Sequence, residues 1–198
     1  MFDFELTELI KTVGLLGVFG IVFAESGLLI GFFLPGDSLL FTAGFLASQG
    51  YLNLSLLIVG SFVAAVIGDS VGYAFGKNIG PALFKRANSR WFKQEHLIRA
   101  REFYAKYGGR TIVLARFIPF IRTFAPIVAG ISEMGYQTFI LYNLIGGALW
   151  AVGVPFLGYF LGSIIPNVDQ LLLPIIATII LVSILPPIVE YMRRRKKG

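Results

Sequence analysis

The chain has little charge and no cysteine, and both features narrow the class of protein it can be. Only 14% of its 198 residues are Asp, Glu, Lys or Arg, whereas a soluble domain carries about 25%. With 56% hydrophobic residues and a mean hydropathy of +0.78, the sequence predicts an integral membrane protein. The absence of cysteine excludes disulfide bonds and gives no information on the redox compartment.

Residue types that catalyse reactions or bind metals are also scarce. The chain has one histidine, His96, in a charged stretch that we expect to be solvated. No carboxylates cluster at ligand spacing, so we expect no metal site. Neither a G-x-S-x-G nor a P-loop pattern occurs. We therefore expect no cofactor, no catalytic residue and no enzymatic activity.

Positive charge is concentrated in two blocks. Residues 77–110 contain nine Lys or Arg against Glu95 and Glu102, and the C-terminal "RRRKKG" adds five more. Basic blocks can bind nucleic acid or anionic lipid, but positive loops of membrane proteins also stay in the cytoplasm. We favour topology, so we expect no nucleic-acid partner, both blocks in the cytoplasm and an even number of crossings between them. The acidic start "MFDFELTELIK" predicts no cleavable signal peptide.

The apolar runs predict a single all-α membrane domain. After a short amphipathic start, the region 13–48 is apolar apart from Glu25 and "LPGDS". Spanning helices are predicted at 52–76 and 136–162, and the loop 163–170 joins the second of them to a last span.

Prolines and glycines interrupt two of the apolar regions. Segment 111–130 contains Pro119 and Pro126, and the first apolar region contains Pro35 and Gly36. Proline removes a helical hydrogen bond, and irregular backbone at membrane depth is tolerated only inside protein or beside water. We therefore predict a re-entrant hairpin in each region, with its break at these four residues.

The two regions belong to an internal repeat. A shift of 86 residues places Ala43-Gly44 on Ala129-Gly130 and "GYAFG" (72–76) on "GYFLG" (158–162). Each copy, a re-entrant hairpin plus one span, crosses the membrane once, so the second copy must be inverted, as in many transporters. The predicted parts are repeat 1 at about 13–80, a cytoplasmic amphipathic segment at 81–109, repeat 2 at about 110–165, a C-terminal helix at 170–190 and a basic tail at 191–198.

The predicted hairpins carry opposite charges. The first contains Glu25 and Asp37, and the second contains Arg116 and Arg122. A charge at the bilayer centre costs about 2.5–3.5 kcal/mol on insertion scales. One interpretation is that salt bridges merely hold the hairpins together, but buried pairs stabilise weakly compared with apolar packing.

The functional interpretation assigns the two kinds of charge different tasks. Arginines bind phosphate through paired hydrogen bonds, and a carboxylate removed from water can exchange protons near neutral pH. A transporter of a phosphorylated substrate, coupled to an ion gradient, needs both. Asp69 is either a further proton site or a helix-packing group bonded to Ser70 or Tyr73.

Three motifs resemble the DedA family, whose common module is the SNARE-associated or VTT domain. They are E-x(9)-P-G-D at 25–37, G-D-x-x-G-Y-x-x-G-K at 68–77, and R-F-x-P-x-x-R-T-x-x-P-x-x-A-G at 116–130. The resemblance covers about 15–165. It implies bacterial inner-membrane lipid transporters that depend on the proton motive force and recycle undecaprenyl phosphate or move phosphatidylethanolamine, with lipid scramblases among eukaryotic relatives. It also implies that the family's membrane acids match Glu25 and Asp37 and its essential arginines match Arg116 and Arg122.

We therefore predict a flippase that moves a polyprenyl-phosphate carrier such as undecaprenyl phosphate between leaflets, coupled to protons or sodium. Arg116 and Arg122 would bind the phosphate, and Glu25, Asp37 and Asp69 would be the coupling candidates. The alternative is a phospholipid flippase or scramblase acting on phosphatidylethanolamine, and a weaker one is a lipid-phosphate phosphatase. The expected partners are the lipid and the bacterial inner membrane, with a homo-oligomer left open.

Overall fold

The computed structural model describes residues 2–28, 36–85, 98, 102–104 and 106–164, and helix is the regular secondary structure throughout them. The predicted all-α class is therefore confirmed for these residues. The helices, in chain order, are α1 Phe2–Gly27, α2 Gly36–Ser48, α3 Leu54–Lys85, α4 Arg110–Ala115, α5 Pro119–Ile131 and α6 Tyr136–Ile164.

Helices α3 and α6 are the described helices long and apolar enough to cross a membrane. Their apolar stretches cover Leu54–Gly80 and Tyr136–Ile164, and at about 1.5 Å per residue each exceeds a hydrocarbon core of roughly 30 Å. Helix α3 continues to Lys85, beyond the expected end of repeat 1 near residue 80. Each helix exposes a stripe of large apolar side chains at helical spacing, and such continuous stripes fit contact with lipid: Leu56, Val59, Val63, Ile67, Val71 and Phe75 on α3, and Leu141, Ile145, Leu149, Val152, Phe156 and Phe160 on α6.

Helix α1 changes direction at Gly14. The backbone of Gly14 has φ 59° and ψ −159°, a conformation that other residues rarely adopt. The bend lies next to the predicted boundary between the start at 1–12 and the apolar region. Beyond it, the apolar part Gly14–Gly27 spans about 21 Å, which is shorter than the bilayer core.

The short helices pack in a crossed arrangement on the long ones. Helix α1 packs on α3 and helix α4 packs on α6, so each contacts the long helix of its own half of the chain. Helix α2 packs on α6 and helix α5 packs on α3, so each contacts the long helix of the other half. A Cβ added at Gly44 of α2 would lie 2.0 Å from the Pro155 carbonyl oxygen of α6, and one added at Gly130 of α5 would lie 2.1 Å from the Tyr73 carbonyl oxygen of α3. Both contacts need glycine, and the two glycines are those that the 86-residue shift aligns.

The chain leaves helical geometry just before Pro119. Helix α4 ends at Ala115, and Ile118 is extended (φ −114°, ψ 104°), as expected for a residue that precedes proline. Pro126, however, was expected at a break and lies inside α5, which continues to Ile131. One missing hydrogen bond does not end this helix, because Pro126 is fully buried and packs close to Gly72 of α3.

Several predictions fall outside the described residues. They concern Pro35, the C-terminal helix at 170–190, the basic tail at 191–198 and most of the amphipathic segment at 81–109. Within that segment, residues 102–104 and 106–107 are helical. Tyr104 is buried there and its hydroxyl donates a hydrogen bond of 3.0 Å to the Ala125 carbonyl oxygen, which ties this segment to α5. Burial raises the pKa of Tyr104 to about 12, so the hydroxyl keeps its proton.

Candidate functional site

The charged residues predicted to lie in the membrane meet in one buried cluster. Glu25 is near the end of α1, Asp37 is in the first turn of α2 and Asp69 is in the middle of α3. Arg116 follows α4 directly, and Arg122 is in the first turn of α5. Their side chains are at most 8% exposed, apart from that of Asp37 at 33%. Every carboxylate of the cluster thus comes from the first half of the described chain, and both guanidiniums come from the second.

Arg122 lies between two carboxylates. Its Nη1 donates to Asp37 Oδ1 at 2.8 Å, and its Nη2 is 3.2 Å from Glu25 Oε2. The second contact is an ion pair without hydrogen-bond alignment, and neither Nη2 nor Oε2 has a hydrogen-bond partner among the described residues. A cation in the first turn opposes the helix dipole of α5, so the two acids compensate both the burial and the dipole.

Arg116 is held by a different set of groups. Its Nη2 donates to Asp69 Oδ2 at 2.7 Å, and its Nη1 donates to Asn143 Oδ1 at 3.0 Å. Asn143, fully buried on α6, donates in turn through Nδ2 to the Val66 carbonyl oxygen at 3.2 Å. Arg116 is therefore oriented by two fixed partners, whereas one guanidinium nitrogen of Arg122 has no hydrogen bond to any residue that the structure describes.

Of the two alternatives for Asp69, the bond to Ser70 or Tyr73 was wrong. The Ser70 hydroxyl donates to the Val66 carbonyl oxygen, and the Tyr73 hydroxyl donates to the Met134 carbonyl oxygen. A hydroxyl has one proton, so neither donates to Asp69, which pairs with Arg116 instead. Sequence spacing favours neighbours on the same helix, and it could not show that a cation from another helix is closer.

Trp150 of α6 lies against both arginines. Its ring centroid is 4.2 Å from Cζ of Arg122 and 5.8 Å from Cζ of Arg116. Its indole N–H donates to Asp37 Oδ1 at 2.6 Å, and only 1% of the residue is exposed. Sequence reasoning missed both Trp150 and Asn143. Both residues lie well inside an apolar span, and this position could have identified them. Tryptophan usually lies at membrane interfaces, so Trp150 is unusual there. Polar groups inside a span are usually functional, which applies to Asn143.

Gly36 allows Glu25 to approach the start of α2. A Cβ at Gly36 would lie 1.4 Å from Glu25 Oε2, so any side chain there would displace the carboxylate. The glycine predicted at a hairpin break thus lies directly against an acid of the cluster.

The cluster encloses a cavity of about 10 Å³, which is room for roughly one water molecule. Its lining consists of Ser26, Asp69, Ile112, Arg116, Arg122, Ala125 and Pro126. A phosphate group is larger than this space, and the carboxylates pair with the arginines. We call this arrangement the closed form. Chemically, the cluster can exchange one anion for another at the arginines, provided that the carboxylates are displaced or neutralised.

Comparison with known proteins identifies the family of the chain. The VTT domain model matches residues 34–160. Protein DedA of Escherichia coli K12 is 45% identical over 199 aligned residues, covering 98% of this chain and 90% of that protein. An uncharacterized membrane protein of Mycobacterium leprae is 48% identical over 169 residues (85% and 75%), and inner membrane protein YqjA of Escherichia coli K12 is 34% identical over 166 residues (81% and 74%). No solved structure matches significantly. The chain is a membrane protein and belongs to the DedA family, with a VTT domain.

Proposed function

We propose that the chain is a transporter, not an enzyme, that moves a phosphate-bearing lipid between membrane leaflets, with a polyprenyl phosphate such as undecaprenyl phosphate as its substrate. The observation that carries the proposal is the pair of buried guanidiniums, Arg116 and Arg122, held by three carboxylates around a water-sized cavity. Arginine is the side chain best suited to phosphate. A purely architectural cluster would gain more stability from apolar side chains of similar volume.

The helix lengths support an inverted repeat of re-entrant hairpins. The described helices α2, α4 and α5, like the apolar part of α1, are each too short to cross about 30 Å of hydrocarbon. The crossed packing of α2 on α6 and α5 on α3 is also what two equivalent, interlocked units would produce. In this proposal repeat 1 covers about 13–80 and repeat 2 about 110–165. The basic segment 77–110 and the C-terminus face the cytoplasm of a bacterial cell.

The charge count supports coupling to protons. With Glu25, Asp37 and Asp69 ionised, the cluster has one more negative charge than positive. A phosphate anion entering beside the arginines would add further negative charge in a medium where unpaired charge is costly. Protonation of one or more acids frees a guanidinium and restores the balance, so lipid phosphate and protons would bind together.

The surface next to the cluster suits a lipid tail. Phe117, Ile118 and Ile121 are 45–55% exposed, immediately before the buried Arg122. A chain lying on these side chains stays in the bilayer while its headgroup reaches the guanidinium within one turn of helix.

A phospholipid flippase or scramblase acting on phosphatidylethanolamine is the second candidate. The observation that favours it is the proximity of acids, arginines and the Trp150 ring, because a zwitterionic headgroup needs partners for both its amine and its phosphate. A phosphatase has weaker support, since Ser26 is the hydroxyl residue in the cavity lining and we identify no base that activates it.

Reconstitution into liposomes tests the proposal. Labelled undecaprenyl phosphate or labelled phosphatidylethanolamine is placed in one leaflet, with and without a pH gradient, and its appearance in the other leaflet is followed together with release of inorganic phosphate. We expect gradient-dependent transfer of undecaprenyl phosphate, lost in Arg122→Ala and retained in Arg110→Ala, because Arg110 is an exposed arginine of α4. Equal transfer by both variants would reject the site, and phosphate release that requires Arg122 would favour the phosphatase.

A further inference from the structure

Two donors from different helices converge on one oxygen atom of the cluster. Asp37 Oδ1 accepts hydrogen bonds from Arg122 Nη1 of α5 at 2.8 Å and from Trp150 Nε1 of α6 at 2.6 Å. Both donors are almost fully buried, whereas the Asp37 side chain is the most exposed part of the cluster. The donors are therefore fixed, and the acceptor is the part best able to leave.

We propose that Trp150 is a substrate-binding residue whose indole N–H, together with Arg122 Nη1, binds a phosphate oxygen of the lipid headgroup at the position that Asp37 Oδ1 occupies here. This inference rests on the proposed transport function and deepens it, because it assigns the substrate its contacts. Carboxylate and phosphate oxygens accept the same charge-assisted hydrogen bonds, so the Asp37 carboxylate stands in for the phosphate in the closed form.

The surroundings of this position fit a phosphate better than a carboxylate alone. Arg122 Nη2 has no aligned hydrogen-bond partner among the described residues. A phosphate presents several oxygens, so one can accept from Nη1 and Nε1 while another accepts from Nη2.

Protonation of Asp37 favours the exchange. Asp37 faces Arg122 on α5 and Trp150 on α6, and Glu25 of α1 contacts the other nitrogen of the same guanidinium. An indole N–H is a donor only, and a neutral carboxylic acid is a weaker acceptor than an anion. Both donors would then bind a phosphate oxygen in preference to protonated Asp37.

The alternative is that Trp150 only covers the guanidiniums with its ring. The two roles differ in whether the N–H itself contacts the substrate. A simple affinity measurement on Trp150→Phe does not separate them, because the N–H would be lost from the Asp37-bound and the phosphate-bound forms alike. The contact must therefore be observed directly, or measured after Asp37 has been removed.

The first measurement follows the indole N–H of Trp150 by NMR, which is simplified because the chain has two tryptophans. Trp91 is the other one, so Trp91→Phe leaves Trp150 as the source of the single indole N–H resonance in a heteronuclear NMR spectrum. The full chain in nanodiscs is titrated with farnesyl phosphate and, separately, with farnesol. We expect the phosphate to move this resonance in a saturable way and the alcohol to leave it unchanged.

The second measurement starts from Asp37→Ala, in which the competing carboxylate is absent. We expect farnesyl phosphate to bind more tightly to Asp37→Ala than to the unaltered chain. Adding Trp150→Phe, or β-(3-benzothienyl)alanine at position 150 to keep the ring shape without the N–H, should then weaken binding about tenfold or more.

The outcomes separate this inference from the proposed function. Saturable, Arg122-dependent binding of farnesyl phosphate with an unmoved indole resonance would overturn the role of Trp150 and leave phosphate-lipid transport standing. Equal affinity with and without the N–H in the Asp37→Ala chain would overturn it as well. Absence of any phosphate-dependent binding to the unaltered chain would reject both proposals.

Discussion

Replacing either arginine by lysine separates phosphate recognition from simple charge balance. Lysine keeps one positive charge but loses the planar guanidinium with its separate nitrogens. At Arg122, Nη1 contacts Asp37 and Nη2 contacts Glu25, so one ammonium cannot reproduce both contacts. At Arg116, Nη2 contacts Asp69 and Nη1 contacts Asn143, and the same limitation applies.

The size of the loss follows from these contacts. One buried acceptor left without its partner costs about 1–3 kcal/mol, and loss of the stacking of Arg122 on Trp150, at 4.2 Å, costs about 1 kcal/mol more. In the proposed cycle the phosphate also accepts from Arg122 Nη2, which has no aligned hydrogen bond among the described residues, so the substrate-bound state loses roughly 2–4 kcal/mol relative to the carboxylate-bound form. At about 1.4 kcal/mol per factor of ten, transport should fall between roughly 30-fold and 700-fold, nearly as far as in the alanine variants.

The assay is initial-rate transfer of labelled undecaprenyl phosphate in liposomes for Arg116→Lys, Arg122→Lys and their alanine counterparts. Arg110→Lys is the matched control, because Arg110 is exposed and should tolerate lysine. Thermal unfolding of each variant separates loss of transport from loss of fold. Full transport by both lysine variants at Arg116 and Arg122 would refute the reasoning, since charge balance alone would then suffice.

The structure carries three further predictions. Glu25→Gln should abolish pH-driven transport but leave phosphate-lipid binding largely intact, because glutamine keeps the shape without a titrating proton. Lost binding in the same reconstituted protein would show that Glu25 has an architectural role instead. Single cysteines at Gln49 and Arg110, in a chain without other thiols, should react with a membrane-impermeant reagent from opposite faces, and labelling of both from one face would end the inverted-repeat proposal. Gly130→Ala should lower the free energy of unfolding by about 1–3 kcal/mol through overpacking on α3. Gly153→Ala should cost little, because a Cβ added at Gly153 meets nothing within 4 Å. Equal stability of the two variants would contradict the close approach of α5 to α3.

Hydropathy and the free-energy cost of buried charge allowed the two long helices and four of the charged residues of the cluster to be predicted from the sequence. The two long helices follow from apolar runs that soluble proteins do not expose, and Glu25, Asp37, Arg116 and Arg122 could be selected because ionised groups are expensive in an apolar segment. Proline and glycine marked the irregular backbone before Pro119, since the residue ahead of a proline avoids helical geometry. Each of these inferences depends on a property of one segment, which a sequence displays directly.

Contacts between segments were harder to predict. The packing alternative for Asp69 considered partners on its own helix, but its partner is Arg116, which directly follows α4. Trp150 and Asn143 were missed because an indole or an amide in an apolar run becomes informative only when its neighbours are known. Pro126 was expected to end a helix, but close packing on α3 preserves it. In each case the deciding interaction joins residues distant in the sequence.

The acids of the cluster lie in the first half of the described chain and its arginines in the second. This arrangement gives a physical reason why lipid movement would be coupled to protons in the proposed cycle. If the acids and arginines lay on the same hairpin, the halves could part with every ion pair intact, and transport would need neither proton nor substrate. Here parting the halves breaks the pairs of Arg116 with Asp69 and of Arg122 with Asp37 and Glu25. A buried charge left without its partner costs about 3–5 kcal/mol, so in the proposed cycle opening that leaves these charges buried and unpaired is disfavoured. In the proposed cycle, protons on the acids together with a phosphate on the arginines remove that cost, and the empty, deprotonated site would stay closed and would not conduct protons.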